Sequence, residues 1–329
     1  MNALHYTLIG AGATVAALAV GAGLAVPYIH KLFKQSFGRS SSSADGQNAY
    51  LESLRQRGFG EQVEIVKKGW ATLAAASHEK VYITSHDGHR LFAKLFAPEH
   101  PKATVILVHG YHSKGEMDFG CVFDFYAQQN IAMLIINQRA HGESAGEYLT
   151  FGAKERFDIR DWCRYLVDRF GENHSIILDG VSMGGSTVLL ASCLPDLPVQ
   201  VKAVIGDCGY ASAKDQIAQV IKENFHLPVI AVLPVASLLC RLYGGAFLGE
   251  AEVESELKKA RIPTLIAHGA QDDFVLPKNS ERNFAACASE YKRLCIFEGS
   301  VHGMSYLDHK AEYEKEIVAL LQYAGVLDQ

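Results

Sequence analysis

The chain has 329 residues, 49% of them hydrophobic and 20% charged, with a formal net charge of −5 at pH 7. That length accommodates one sizeable domain with a buried core plus appendages, and a mildly acidic chain without a clustered basic surface argues against nucleic acid as a partner. The seven cysteines are scattered and odd in number, with no CxxC pair and no Cys/His cluster at metal-ligand spacing, so neither a disulfide framework nor a metal centre is expected.

Residues 1–34 read as an N-terminal transmembrane anchor. From Tyr6 to Ile29 there is no formal charge. A run of about 20 apolar residues suffices to span a hydrocarbon core of ~30 Å. A signal peptide would carry a basic leader and a shorter apolar core. Here no Lys or Arg precedes the run, while Lys31, Lys34 and Arg39 follow it. The positive-inside rule then puts the rest of the chain in the cytoplasm, on an uncleaved single-pass anchor. Residues 35–49, with their serine run and Gly46, read as a polar linker. A catalytic domain over residues 50–329 is expected to follow.

Tyr50 to Ala75 is amphipathic and predicts a helix. The segments KVYITSH and HRLFAKLF alternate around Asp87-Gly88, the signature of a β-hairpin. Short apolar runs then predict buried strands at Ala103–His109, Ile131–Asn137, Ser175–Asp179, Val201–Gly206, Thr264–His268 and Arg293–Phe297. Helices are expected at Ala153–Phe170, with Phe157, Trp162, Leu166 and Phe170 near one face, at Gly184–Leu194 and at Lys310–Tyr323. Strands alternating with helices imply an α/β fold, with a mostly parallel sheet covered on both faces. One stretch breaks the rhythm. Residues 211–260 include LPVIAVLPVASLLCRLYGGAFL, too long for a crossover loop, and read as a helical cap insertion, the alternative being a membrane-dipping or plain core segment. Pro228, Pro234, Arg241 and Gly244-Gly245 interrupt that run and argue against a second membrane span.

Gly180-Val181-Ser182-Met183-Gly184 is a G-x-S-x-G motif between a strand (SIILD) and a helix-forming run (STVLLASC). That setting is the one a nucleophile elbow requires. A serine hydroxyl needs a positioned base, and elbow enzymes supply acid and histidine downstream in that order. The acid is expected after IPTLIAHG, where Asp272 and Asp273 compete. The base is expected after RLCIFEG, at His302, with His309 as the weaker alternative. The backbone N–H groups of Met183 and of Tyr111, in the HGYHS loop, are the candidate oxyanion donors. The polar loop Asn137–Ser144 reads as a structural turn, and His109 and Gly110 as residues that shape their loop.

Taken together, HGYHS, NQRAHGES, GVSMGG, DCGYAS, HGAQDDFV and SVHGMSY resemble the bacterial α/β-hydrolases of the serine aminopeptidase S33-type and acyl-hydrolase-like group, many of which are membrane-anchored. The resemblance runs from about Lys80 to Leu321. It implies the α/β-hydrolase fold and the triad Ser182, Asp272 and His302. Asp272 is favoured over Asp273 because it holds the fifth position of an H-G-x-x-D-x-x-V stretch. The resemblance also places the oxyanion donors at Tyr111 and Met183. One turn departs from the family's D-x-R-G-H-G-x-S, having Asn137 and Ala140 instead.

The activity so implied is hydrolysis of a carboxylic ester through an acyl-enzyme, without metal or organic cofactor. Thioester hydrolysis, N-terminal peptide cleavage and acyl transfer are neighbouring chemistries on the same triad. A small hydrophobic acyl ester or a short peptide is the expected substrate. A peptidase of this kind would need an acid for the substrate amine, and Glu223, Glu250, Glu252, Glu254 and Glu256 lie in the cap region. The contrasting reading is a non-catalytic, membrane-tethered interaction protein on a hydrolase scaffold.

Overall fold

The structure, a computed structural model, describes residue 27 and residues 29–39, 45–56 and 58–328. The uncharged run from residue 6 lies outside the described residues, except for Pro27 and Ile29.

Eight strands form one sheet in the order β1-β2-β4-β3-β5-β6-β7-β8. β1 (Glu79–Thr84) and β2 (Arg90–Phe96) make the expected antiparallel hairpin, and β2 pairs antiparallel with β4 (Ile131–Asn137). β3 (Ala103–Val108), β4, β5 (Ser175–Val181), β6 (Val201–Asp207), β7 (Thr264–Gly269) and β8 (Lys292–Phe297) run parallel. This is the α/β-hydrolase architecture, a mostly parallel mixed sheet covered by helices. Every residue of β3 and β7 is buried, as a strand covered on both faces requires.

Alternate strand residues feed two cores. Ile106, Leu134, Ile136, Leu178 and Val204 pack with Trp162, Leu166 and Val188 on one face. Leu107, Ile135, Ile177 and Ile205 pack with Phe123, Tyr126, Ile317 and Leu320 on the other. The chain moves outward from β3 to β4, then returns to place β5 on β3's other side. That reversal opens a crevice at the carboxyl ends of β3 and β5, where open α/β sheets bind ligands.

Three elements differ from expectation. Tyr50–Ala75 is not one helix but two, Asp45–Gln56 and Gly60–Ala75. Gly58, at φ +89°, ends the first: its N–H donates to the Arg55 carbonyl and that of Phe59 to Leu54, the bonding of a Schellman cap. Helix Glu155–Phe170 buries Ile159, Trp162, Cys163 and Leu166, leaving Phe157 and Phe170 only half-buried. Its first turn is pulled inward by polar groups. Glu155 accepts from the Thr150 and Gly152 N–H groups at 2.7 and 2.8 Å, and Asp158 pairs with Arg139.

The third difference corrects the boundary at residue 34. Helical residues 29–37 straddle it, docked on the folded body, with Phe33 and Phe37 each 3% exposed. Phe33 stacks on Tyr148 and Phe37 meets the edge of Phe151. Gly38 bridges Tyr148, and the Arg39 guanidinium donates to the carbonyls of Gly142, Ser144 and Gly146. Residues 35–39 are therefore part of the domain rather than linker, because the phenylalanines one turn apart find an aromatic floor.

The insertion between β6 and β7 is helical. It comprises Ala213–Glu223, Val229–Leu239, a π-helical turn Cys240–Gly244, a short 3-10 turn Leu248–Glu250 and Val253–Leu257. Among the described residues no single helix is long and apolar enough to cross a membrane.

Candidate active site

Ser182 stands between β5 and helix Met183–Ala191 with φ 56° and ψ −121°, a strained conformation that projects its side chain from the sheet edge. The flanking glycines are sterically required. A Cβ at Gly180 would strike the Gly184 carbonyl, and one at Gly184 would strike that of Val108. The turn is pinned by the Ser182 N–H, which donates to the Asp207 carbonyl at 2.8 Å.

The structure brings Ser182, His302 and Asp272 together. His302 Nε2 lies 2.9 Å from Ser182 Oγ, and His302 Nδ1 lies 2.6 Å from Asp272 Oδ2. Asp272 follows β7 and His302 follows β8, so three strand ends converge on one point. The other Asp272 oxygen accepts the N–H groups of Phe274 and Val275 at 3.0 and 2.9 Å. His268 Nε2, 3.0 Å from Asp272 Oδ2, faces the same carboxylate. Burial pushes this carboxyl upward, but the hydrogen bonds from His268 and His302 outweigh it and hold Asp272 well below the usual carboxylate range. Asp273 is exposed, and His309 Nε2 is turned to the Glu298 carbonyl.

Gly110 lies against Ser182: a Cβ there would come 3.3 Å from that of Ser182. This sets the Tyr111 N–H, which has no acceptor among the described residues, beside the elbow. Met183 is the first residue of its helix, where backbone N–H groups lack intrahelical partners. His109 is buried and structural. Its Nδ1 donates to the Gly110 carbonyl and its Nε2 accepts the Gln138 N–H, and burial pushes its pKa down to about 4. Loop Asn137–Ser144 is a turn, with Ala140 at φ 60° and buried Arg139 bridging Asp158 and Asp87.

A cavity of about 290 Å³ opens at Ser182 and His302 and runs down the sheet face beneath helices Gly60–Ala75, Gly115–Phe119 and Lys310–Tyr323. Val66, Met117, Val122, Leu307 and Ile317 supply apolar lining. Three carboxyl groups also line it: Asp118, Asp179 and Asp207. The sequence reading missed all three. Burial pushes Asp118 up to about 6, against the pull of its bonds from Ser113 and the Gly110 N–H and of nearby His302. Burial likewise raises Asp179 to about 7, although it accepts the Tyr126 hydroxyl at 2.7 Å. Asp207 is raised by the same cause, and its Oδ1 has no partner among the described residues. For Asp179 and Asp207 the polar residue closing an apolar strand, in SIILD and VIGD, was the available signal; Asp118, in helix Gly115–Phe119, had none.

The cap glutamates are engaged elsewhere. Glu254 pairs with Arg282, Glu256 with Lys259, Glu252 accepts from Ser212, Glu250 from the Phe247 N–H and Glu223 from Gln219. None lines the cavity. Among the described residues two groups could present three metal-ligand atoms, Cys208/Asp272/His302 and His86/Asp158/Asp161. In both, the carboxylates already serve histidine or arginine partners.

The family profile for serine aminopeptidase, S33, matches residues 99–235 and 233–306. The chain is 26% identical over 242 residues to the uncharacterized protein YqkD of Bacillus subtilis, covering 73% of this chain and 77% of that one. It is 25% identical over 158 residues to thiohydrolase aneE of Aspergillus aculeatus, covering 45% and 49% respectively. In fold it is similar to the esterase Pf2001 of Pyrococcus furiosus, with a TM-score of 0.62 at 19% identity over 77% of this chain and 94% of that one. With the profile match spanning more than half its length, the chain belongs to the S33-type serine aminopeptidase family of α/β-hydrolases.

Proposed function

We propose that the protein is a serine hydrolase that cleaves a carboxylic ester or related acyl bond through an acyl-enzyme on Ser182. The observation that carries this reading is the hydrogen-bonded line from Ser182 Oγ through His302 to Asp272, set at the mouth of a cavity. His302 Nε2 takes the Ser182 proton as Oγ attacks the substrate carbonyl. Asp272 holds Nδ1–H and stabilises the imidazolium that forms. The Tyr111 and Met183 N–H groups receive the developing oxyanion. His302 then returns the proton to the leaving group, and water releases the acyl group by the reverse sequence. A thioester fits the same steps, and one relative is named a thiohydrolase.

A fluorophosphonate probe tests this reading. Wild type should be labelled and Ser182→Ala should not. A folded wild type that resists the probe, or an equally labelled variant, would sink the assignment and favour the non-catalytic scaffold.

A second reading, release of an N-terminal residue from a short peptide, is favoured by the acidic cavity lining. Asp118, Asp179 and Asp207 offer acceptors for a substrate ammonium that the cap glutamates do not. Turnover of p-nitrophenyl esters against aminoacyl-p-nitroanilides separates the two. We also propose that the run Tyr6–Ile29 anchors the chain in a membrane with the domain on the cytoplasmic side, on the strength of Lys31, Lys34 and Arg39. A C-terminal topology reporter active only outside the cytoplasm would overturn that orientation.

A further inference from the structure

Helix Val229–Leu239 (VIAVLPVASLL) contains no charged residue. A surface helix of a water-facing domain ordinarily turns a polar face outward. This one buries Val232 and Ala236 and turns Ile230, Pro234 and Leu238 outward. The four-residue spacing continues through the π-helical turn to Leu242. Ile230 is 90% exposed, Leu242 68% and Leu238 51%. Tyr243 and Phe247 extend the patch. A row of this kind, rather than isolated apolar side chains, marks a contact surface.

Its neighbour indicates what covers it. The uncharged run from Tyr6 ends at Ile29, which lines a small apolar pocket with Ile221, Val232 and Ala236 of the cap. The next residue, His30, places Nε2 3.0 Å from the Tyr243 hydroxyl. The chain therefore passes from its longest uncharged run directly onto the edge of the exposed row. Lys31 and Lys34 follow at once, as cations do where a chain leaves the hydrocarbon for the headgroups.

We propose that the outer face of the cap, from Ile230 to Leu242, lies in the membrane interface, so that the cap is a second lipid contact beside the anchor. The proposal rests on the anchor reading. A helix lying in the interface buries its apolar face ~5–10 Å into the headgroup and acyl boundary. The cap follows the carboxyl end of β6, so this orientation turns the Ser182 edge of the sheet toward the bilayer and the opposite edge away from it.

The test uses the full chain in nanodiscs containing brominated lipids. Leu238→Trp and Leu242→Trp report from the cap. Val199→Trp, at an 80% exposed position before β6, reports from the opposite edge. Retained fluorophosphonate labelling shows that each variant is folded and serves those that are catalytically competent; circular dichroism serves otherwise. Bromolipid quenching at 238 and 242, with none at 199, is the expected result. Blue-shifted but unquenched emission would mean that protein, this chain's own N-terminal run or a second copy, covers the face, and would overturn the proposal. Emission typical of water at both positions would overturn it as well. Liposome flotation separates the failures: a chain that floats yet shows no quenching refutes only the cap contact, while a chain that does not float refutes the anchor together with it.

Discussion

One oxygen of Asp272 faces two imidazoles, His302 at 2.6 Å and His268 at 3.0 Å. His268 Nε2 also faces the Val275 carbonyl at 2.6 Å, so that nitrogen carries the proton. Asp272→Asn should therefore disturb both rings and lower kcat on a p-nitrophenyl ester by up to ~10⁴-fold, by presenting an amide to His302 Nδ1. Asp273→Asn should leave kcat unchanged, because that side chain is exposed; a comparable loss there would refute the assignment of the acid. Asp179 makes a separate prediction. Its carboxyl is held neutral to about 7 in the fold, against 3.8 when free. The folded state thus binds more protons between those values, and stability is lost as pH rises through the window. Asp179→Asn should reduce that loss by on the order of a few kcal/mol, read as a smaller difference between urea midpoints at pH 5 and pH 8. Ser182, Asp272 and His302 were legible because each sits in a local motif with a known place relative to a strand. Asp179 and Asp207 were not, since which side of a strand end faces a cavity depends on helices far along the chain, and Asp118 sits in a short helix, Gly115–Phe119, whose placement over the sheet no local pattern gives.

Helix 29–37 shows why polarity misleads in a short element. The serine run and Gly46 gave the reading of a linker from residue 35, while Phe33 and Phe37, one turn apart, decide the docking. The element also reaches the site. The Tyr111 hydroxyl donates to the Ser36 carbonyl at 2.8 Å, and His112 Nε2 lies 3.1 Å from the Gly38 carbonyl. It therefore braces the loop that offers the Tyr111 N–H. Phe37→Ala should cost about 3–5 kcal/mol in urea unfolding and should also lower kcat. A stable variant with full kcat would show that the brace is idle. The elbow is stricter. Gly184→Ala drives a Cβ into backbone, not into a side chain that could move, so soluble folded protein should be lost. The strands and the closing helix were readable because buried parallel strands are uninterrupted apolar runs. The break at Gly58 was not, because the amphipathic pattern continues across it.

Across the whole molecule the seven cysteines are all free, and only Cys121 and Cys295 are not buried. Burial pushes their thiols up to about 11 and about 12. Reductant should leave the melting temperature unchanged. Iodoacetamide at neutral pH should modify the native chain slowly, at those two positions at most, and all seven after unfolding; rapid labelling of Cys163 in the native state would contradict the packing described for its helix.

The convergence of three strand ends also has a consequence in time. The ribosome delivers Ser182 first, Asp272 much later and His302 last of the three. A nascent chain therefore carries Ser182 without its proposed base for the 120 residues that separate it from His302. Under the proposed triad, chemistry would switch on only when β8 takes its place at the sheet edge, so a polypeptide halted before β8 would carry the elbow and no base.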